Sequence, residues 1–368
     1  MASQWHSRSG CSRFAFGHAS SRALWFSKLA VSNQFFDRDP LLSRRGKFEE
    51  FVGDSSEIVI DEALDFMRRQ HRTRQPFFSV VWYGTPHDPF KAADDDIEAF
   101  AELDPVSQQH YGELVAMDRS IGTLRAGLRE MGVADNTIVW FCSDNGGLPK
   151  IQPSTVGGLR GNKGTIYEGG LRVPAIIEWP SQIQPRVSRF PASVLDILPT
   201  LLDVTGIEHS DTSRVLDGMS LRKLFDNDLS VRMSSIPFRH TVKAALIDNR
   251  FKLLTNNIRN GVFELYDLEK DTAETNDISD REPVIAARMR RQLLNWSDSV
   301  DQSAAGKDYP EGKVDPNEPE SRFWTDMTEY QPFFPEWEQR WEYTKRLNPA
   351  RKSKPTKRKP KNVKAVKP

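Results

Sequence analysis

Apolar residues fall along the chain in two different periods, and the changes between them mark successive elements. "GDSSEIVIDEALDFMRRQH" sets Ile58, Ala63, Leu64, Phe66 and Met67 at helical spacing, with acids early and Arg68, Arg69 and His71 late. That order suits the helix macrodipole and predicts a helix capped by Ser55 or Ser56. "PFFSVVWYGTPHDPF" (Pro76 to Phe90) opens instead on the uncharged, β-branched and aromatic run Phe77 to Tyr83. Such a run predicts a strand buried on both faces. "SQQHYGELVAMDRSIGTLRAGLREMG" returns to helical spacing through Tyr111, Leu114, Val115, Ile121, Leu124 and Leu128, and stops at Gly132. "NTIVWF" (Asn136 to Phe141) is a second buried-strand run, of the kind found inside parallel sheets, and it breaks into "CSDNGG". "PAIIEWP" predicts a short strand between prolines, and "SVLDILPTLLDVTG" a helix ending on Gly206. Helix and strand in alternation predict an α/β sheet layered by helices.

Beyond about residue 235 the texture changes. "HTVKAALIDNRFKLLTNN" and "VFELYDLEKDTAETND" predict short antiparallel strands, and "EPVIAARMRRQLLNWSDSV" a closing helix. "NQFFDRDPLLSRRGKFEEF" reads as loop, and residues 1–30 follow neither period. The expected organisation is therefore an unmatched N-terminal remnant over 1–32 and a main α/β domain over 33–234. A small α+β subdomain over 235–300 follows, then an aromatic-rich extension over 301–350 and a basic tail over 351–368. A chain of 368 residues, 38% hydrophobic, has room for one large domain and a smaller one.

Charge adds one feature. The balance of 51 basic and 51 acidic residues conceals a tail, "RKSKPTKRKPKNVKAVKP", that holds nine Lys/Arg and no acid. With almost nothing to bury, it is expected to be a disordered, solvated end; contact with nucleic acid or another polyanion is the lesser reading. No apolar run reaches the roughly 18 residues of a membrane span. Cys11 and Cys142 are too few for a disulfide framework.

Three loops supply candidate chemistry. Asp144 and Asn145 follow a strand, and Gly146 and Gly147 are expected to let the backbone turn sharply there. Two oxygen donors at a strand's carboxyl end suit a hard cation, although Asp and Asn before Gly also serve as an ordinary turn. His87 follows the other strand, and Lys163 lies in the Gly-rich run "GNKGTIYEGG". Singly, each is also at home in a turn or a solvated loop. Together, a cation site, a Lys and a His describe a pocket for an anionic ester, with His able to protonate a leaving oxygen.

These segments resemble the sulfatase family, the arylsulfatase-like branch of the alkaline-phosphatase superfamily. "GGLRGNKGTIYEGGLRVPAIIEWP" is similar to its Lys-containing loop, "FCSDNGG" to its metal-binding turn, and "PFFSVVWYGTPHDPF" to the strand before its active-site His. "SVLDILPTLLDVTG", "LDGMSLRKLF" and "ELYDLEKDTAETNDIS" are similar to C-terminal landmarks in the family's order. The resemblance spans about residues 33–300. It implies an alkaline-phosphatase-like mixed sheet sandwiched by helices, with a small C-terminal α+β subdomain. It implies one Ca²⁺ held by Asp144 and Asn145, sulfate bound by Lys163, and His87 contacting sulfate and helping to protonate the leaving group. The substrate implied is a small-molecule or carbohydrate sulfate ester, and export is implied if a signal lies upstream of Met1.

The match also departs from the family. The formylglycine motif, "C-x-P-x-R" or its Ser form, is absent: Cys11 opens "CSRFA" and Cys142 opens "CSDNG". The family's early pair of metal-binding acids is missing too, and "DDD" at Asp94 to Asp96 falls after His87. "SQWHS" is similar to the family's Gly-Lys-Trp-His segment, with His6 matched as a catalytic candidate and Gln4 where the Lys belongs. A shifted or mis-started reading of a longer gene would account for this. Two expectations follow: a sulfatase-family hydrolase inactive as written, or a non-catalytic, Ca²⁺-dependent binder of sulfated glycans. A phosphate-ester hydrolase ranks below both, because no second His/Asp cluster is found. A bare strand edge would also make the chain poorly soluble.

Overall fold

A computed structural model describes residues 41–44, 47–208, 216–308, 328 and 330–339. His6, Cys11 and the basic tail lie outside the described residues. The segment read as loop before the first helix instead contains an antiparallel hairpin, β1 (Leu41–Arg44) and β2 (Lys47–Glu50), with Leu41 opposite Glu50.

Two long helices form the first layer. α1 (Ser55–Arg72) is capped by Asp54, whose Oδ1 accepts the Ser56 N–H at 2.8 Å, so the cap lies one residue before the serines expected. After the short α2 (Asp94–Ile97), α3 (Pro105–Glu130) starts with proline at its first turn and Asp104 accepting two N–H groups. Its chain leaves through Gly132 at φ +69, as the sequence predicts. Ile60, Leu64 and Met67 of α1 pack on Leu128 of α3, and a Cβ on Gly127 would sit 2.6 Å from Leu64 Cδ2. The helices meet closely there because glycine removes the obstacle.

The run Phe77 to Tyr83 joins no sheet among the described residues. Phe77, Val81 and Tyr83 pack on the α1–α3 core, while Phe78, Val80 and Trp82 are 67%, 57% and 71% exposed. The alternation is that of a strand with one buried face, which corrects the expectation of two. Composition reports that a segment is apolar, not what covers it.

β3 (Val139–Cys142) pairs antiparallel with β4 (Ala175–Glu178), Trp140 opposite Ile177, and is half-buried throughout. The expected parallel, doubly buried strand is corrected to this extent. Helices nevertheless lie on both faces. Val139 packs with the α1–α3 core, and Glu178 on the same face takes a two-pronged bond from Arg125 of α3 at 2.8 Å. Trp140 and Ile177 pack on Phe190, Leu221 and Phe225, together with Val204 of α5 (Ile197–Thr205). α5 ends at Gly206, φ +66, and is entered through a capping box between Ser193 and Asp196. Asp196 is fully buried and paired at 2.7 and 2.8 Å with Arg232, which follows the short α6 (Arg222–Asp226).

The remainder is a four-stranded antiparallel sheet in sequence order: β5 (Ile236–His240), β6 (Lys243–Asp248), β7 (Phe251–Thr255) and β8 (Glu264–Asp267). α7 (Pro283–Ala304) covers one face through Met289 and Leu293, which meet Ala244, Leu246, Leu253 and Leu265. Antiparallel strands with a closing helix are what the sequence predicts, with β5 added before them.

Candidate active site

The turn after β3 and the Gly-rich loop are joined backbone to backbone. Gly147 O accepts the Lys163 N–H at 2.9 Å, Gly146 donates to Gly170 O at 3.0 Å, and Ser143 donates to Pro174 O at 3.3 Å. Asp144, Asn145 and Lys163 are thereby brought into one unit although the sequence separates them. Gly146 and Gly147 keep out of the left-handed region, and the chain bends just before them at Asp144 and Asn145. Close approach is what demands glycine: a Cβ on Gly146 would collide with the Gly169 carbonyl oxygen, and one on Gly147 with Thr155.

Lys163 sits in a tight turn. Asn162 O accepts the Thr165 N–H at 3.0 Å and the Thr165 hydroxyl at 2.8 Å, and Gly164 takes φ +86 as a type II turn requires. The short α4 (Glu168–Leu171) follows, with Glu168, Gly169 and Gly170 buried.

The loop is in turn held by the C-terminal sheet. Ile166 is buried with Ala245, Leu254 and Tyr266. Lys252 of β7, fully buried, reaches Glu168 Oε1 at 2.8 Å and Glu274 Oε1 at 2.9 Å. Glu274 Oε2 also accepts the Glu168 N–H at 2.6 Å. Burial raises the Glu274 carboxyl, against the pull of Lys252 and of that N–H. Arg160 donates to Tyr266 Oη and Glu274 O and lies 3.9 Å over the Tyr167 ring. Sequence reasoning missed these partners of Glu168, since Lys252 and Glu274 lie 84 and 106 residues away with no local signal that joins them to it.

His87 comes from a separate loop between α1 and α2 and is half-buried. Its Nδ1 is 2.7 Å from the Asp88 carbonyl oxygen, which only accepts, so Nδ1 carries a proton. Cys142 is half-buried, and burial followed by Asp144 pushes its thiol up, the opposite of what a nucleophilic thiolate needs.

Asp144 and Asn145 are hard oxygen donors of the kind Ca²⁺ takes, and Asp144 is exposed. They fit a calcium ion in type, but two residues fall short of its roughly six to eight oxygens. No group of three or more His, Cys, Asp or Glu residues that could hold a metal occurs among the described residues.

A sheet with helices on both faces, and loops gathered where β3 ends, is an alkaline-phosphatase-like α/β architecture. The solved structure of Ps i-CgsB in complex with k-i-k-neocarrahexaose superposes with a TM-score of 0.63 at 29% identity, covering 70% of this chain and 58% of that one. The family model described as Sulfatase matches residues 3–207, and one described as N-sulphoglucosamine sulphohydrolase, C-terminal, matches 161–299. The chain belongs to the sulfatase family. It is 34% identical over 194 residues to N-acetylgalactosamine-6-sulfatase of Sus scrofa, covering 51% of this chain and 35% of that protein. It is 35% identical over 167 residues to arylsulfatase A of Homo sapiens, covering 44% and 31%. The chain thus spans about a third of the length of these curated relatives.

Proposed function

We propose that this chain acts on sulfate esters of carbohydrates, as a sulfuric ester hydrolase of the sulfatase family. Lys163 binds the sulfate oxygens, His87 contacts sulfate and, when doubly protonated, helps protonate the leaving oxygen, and Asp144 and Asn145 are two of the ligands of a Ca²⁺ ion. The observation that carries the reading is the Lys163 N–H bond to Gly147 O at 2.9 Å, which fixes a cationic loop against the Asp-Asn turn. Sulfate is the anion of a strong acid, so a site must meet its charge with cations rather than with a proton. The metal, when bound, supplies part of that positive charge. The Lys163 ammonium supplies another part, and the glycine contacts keep its turn from moving away as charge develops.

A second reading is Ca²⁺-dependent binding of sulfated glycans without turnover. What favours it is that neither cysteine stands in a formylglycine motif and that Cys142 has a raised pKa. The test is calorimetry and sulfate release with N-acetylgalactosamine 6-sulfate and a sulfated carrageenan oligosaccharide, with Ca²⁺ and with chelator. Sulfate release supports hydrolysis; Ca²⁺-dependent binding without release supports the second reading. Lys163→Ala is expected to weaken binding by about tenfold or more, as loss of a charged hydrogen-bond donor does. No binding of either sugar by the unsubstituted chain overturns both.

A further inference from the structure

The sheet's grip on the Lys163 loop runs through ionisable groups that nothing in the chemistry above uses. Lys252 and Glu274 are 0% exposed and Glu168 is 4% exposed. A buried ammonium is tolerated only where carboxylates answer it, and here two do, at 2.8 and 2.9 Å. One carboxylate belongs to the loop and the other to the segment after β8. Glu274 joins them a second way by accepting the Glu168 N–H, five residues beyond Lys163. Glu274 itself takes φ +52, a conformation side chains avoid unless their surroundings enforce it. Lys243 Nζ adds a bond to Gly164 O at 3.3 Å, next to Lys163.

We propose that Lys252, Glu168 and Glu274 form a buried charge clamp through which the C-terminal sheet sets the position of the Lys163 loop. They are positioning residues: none belongs to the proposed sulfate contacts, and their effect passes through the backbone of residues 161–168. The proposal deepens the functional reading, in that the anion it serves is the sulfate group that Lys163 binds. An apolar replacement of similar size keeps the sheet packed but removes the link between sheet and loop.

The experiment is hydrogen exchange, followed by mass spectrometry, on the full chain and on Lys252→Met, Glu274→Ala and Glu274→Gln. Peptides covering 159–171 are expected to exchange about tenfold faster in Lys252→Met and Glu274→Ala, the size of effect that loss of a charge-assisted bond produces. Peptides covering β6 and β7 should keep their rates. Glu274→Gln, whose amide oxygen still accepts the Glu168 N–H but whose NH2 faces the Lys252 ammonium, should restore only part of the protection that Glu274→Ala loses. Acceleration spread equally over loop and sheet, or none in the loop, overturns the clamp. Should Lys252→Met not fold, Glu168→Gln beside the two Glu274 variants decides by the same comparison. Affinity for N-acetylgalactosamine 6-sulfate, about tenfold weaker in Lys252→Met, is the second readout. Absence of sugar binding by the unsubstituted chain would refute the functional reading, while the exchange pattern would still decide the clamp.

Discussion

At Gly146 the requirement for glycine comes from the neighbouring loop rather than from its own backbone angles. An added Cβ would meet the Gly169 carbonyl oxygen and lie 2.7 Å from Gly170 Cα, and neither backbone atom can rotate away. Gly146→Ala is expected to cost about 1–3 kcal/mol, as overpacking does, and to part the Asp144–Asn145 turn from the Lys163 loop. Gly158 is the control: a Cβ there meets nothing within 4 Å. Gly158→Ala should be neutral or stabilising by up to about 1 kcal/mol, because it narrows only the unfolded ensemble. Urea unfolding of the two variants checks both signs, and equal losses would refute the argument. The sequence did place these glycines beside the chemistry. The partners of Gly146, Gly169 and Gly170, were visible only as letters of a motif, because the contact spans more than twenty residues and depends on how the strands pair.

Among the elements, α3 carries an unusual burden. His110 is 3% exposed, with its ring 5.1 Å from Phe90 and 5.4 Å from Tyr111, both edge-on. Its Nδ1 has no hydrogen-bond partner among the described residues. Burial lowers its pKa to about 4, so the folded chain holds it neutral. The unfolded chain takes up the proton near pH 6.5. The unfolded state therefore binds more protons between those values, and stability falls as pH drops from about 6.5 to about 4, by roughly 3 kcal/mol at most from this residue. His110→Leu should flatten that part of the profile. Urea unfolding of both proteins at pH 7, 5.5 and 4.5 isolates the residue, since all other titrating groups are shared; identical slopes would refute it. The helix was legible from Ser107 to its glycine stop at Gly132 by spacing, while its Asp104 cap and Pro105 start precede the segment so read. Its buried histidine was not, because Phe90 reaches it from outside the helix.

Across the whole molecule, the elements that sequence pattern described well are those closed by local signals: α1, α3, α5 and the β6–β7 pairing. What it described poorly is the covering of surfaces. The run Phe77 to Tyr83 has strand alternation, and no backbone hydrogen bond joins it to another described residue. Among the described residues it therefore presents amide groups and the apolar side chains of Phe78, Val80 and Trp82 together, the combination that templates pairing between chains. This particular segment is the physical basis for expecting poor solubility. Replacing Phe78, Val80 and Trp82 together with Thr leaves the α1–α3 core untouched, since Phe77, Val81 and Tyr83 make those contacts. Because the three side chains lie largely in solvent, each substitution should change stability by no more than about 0.5 kcal/mol. Self-association should fall instead. Light scattering across a concentration series is expected to show the unsubstituted chain growing in mass and the triple variant staying monomeric at the same concentrations. If both associate alike, the driving surface lies elsewhere. If the variant loses its cooperative melt as well, the outward face of the segment is packed in solution.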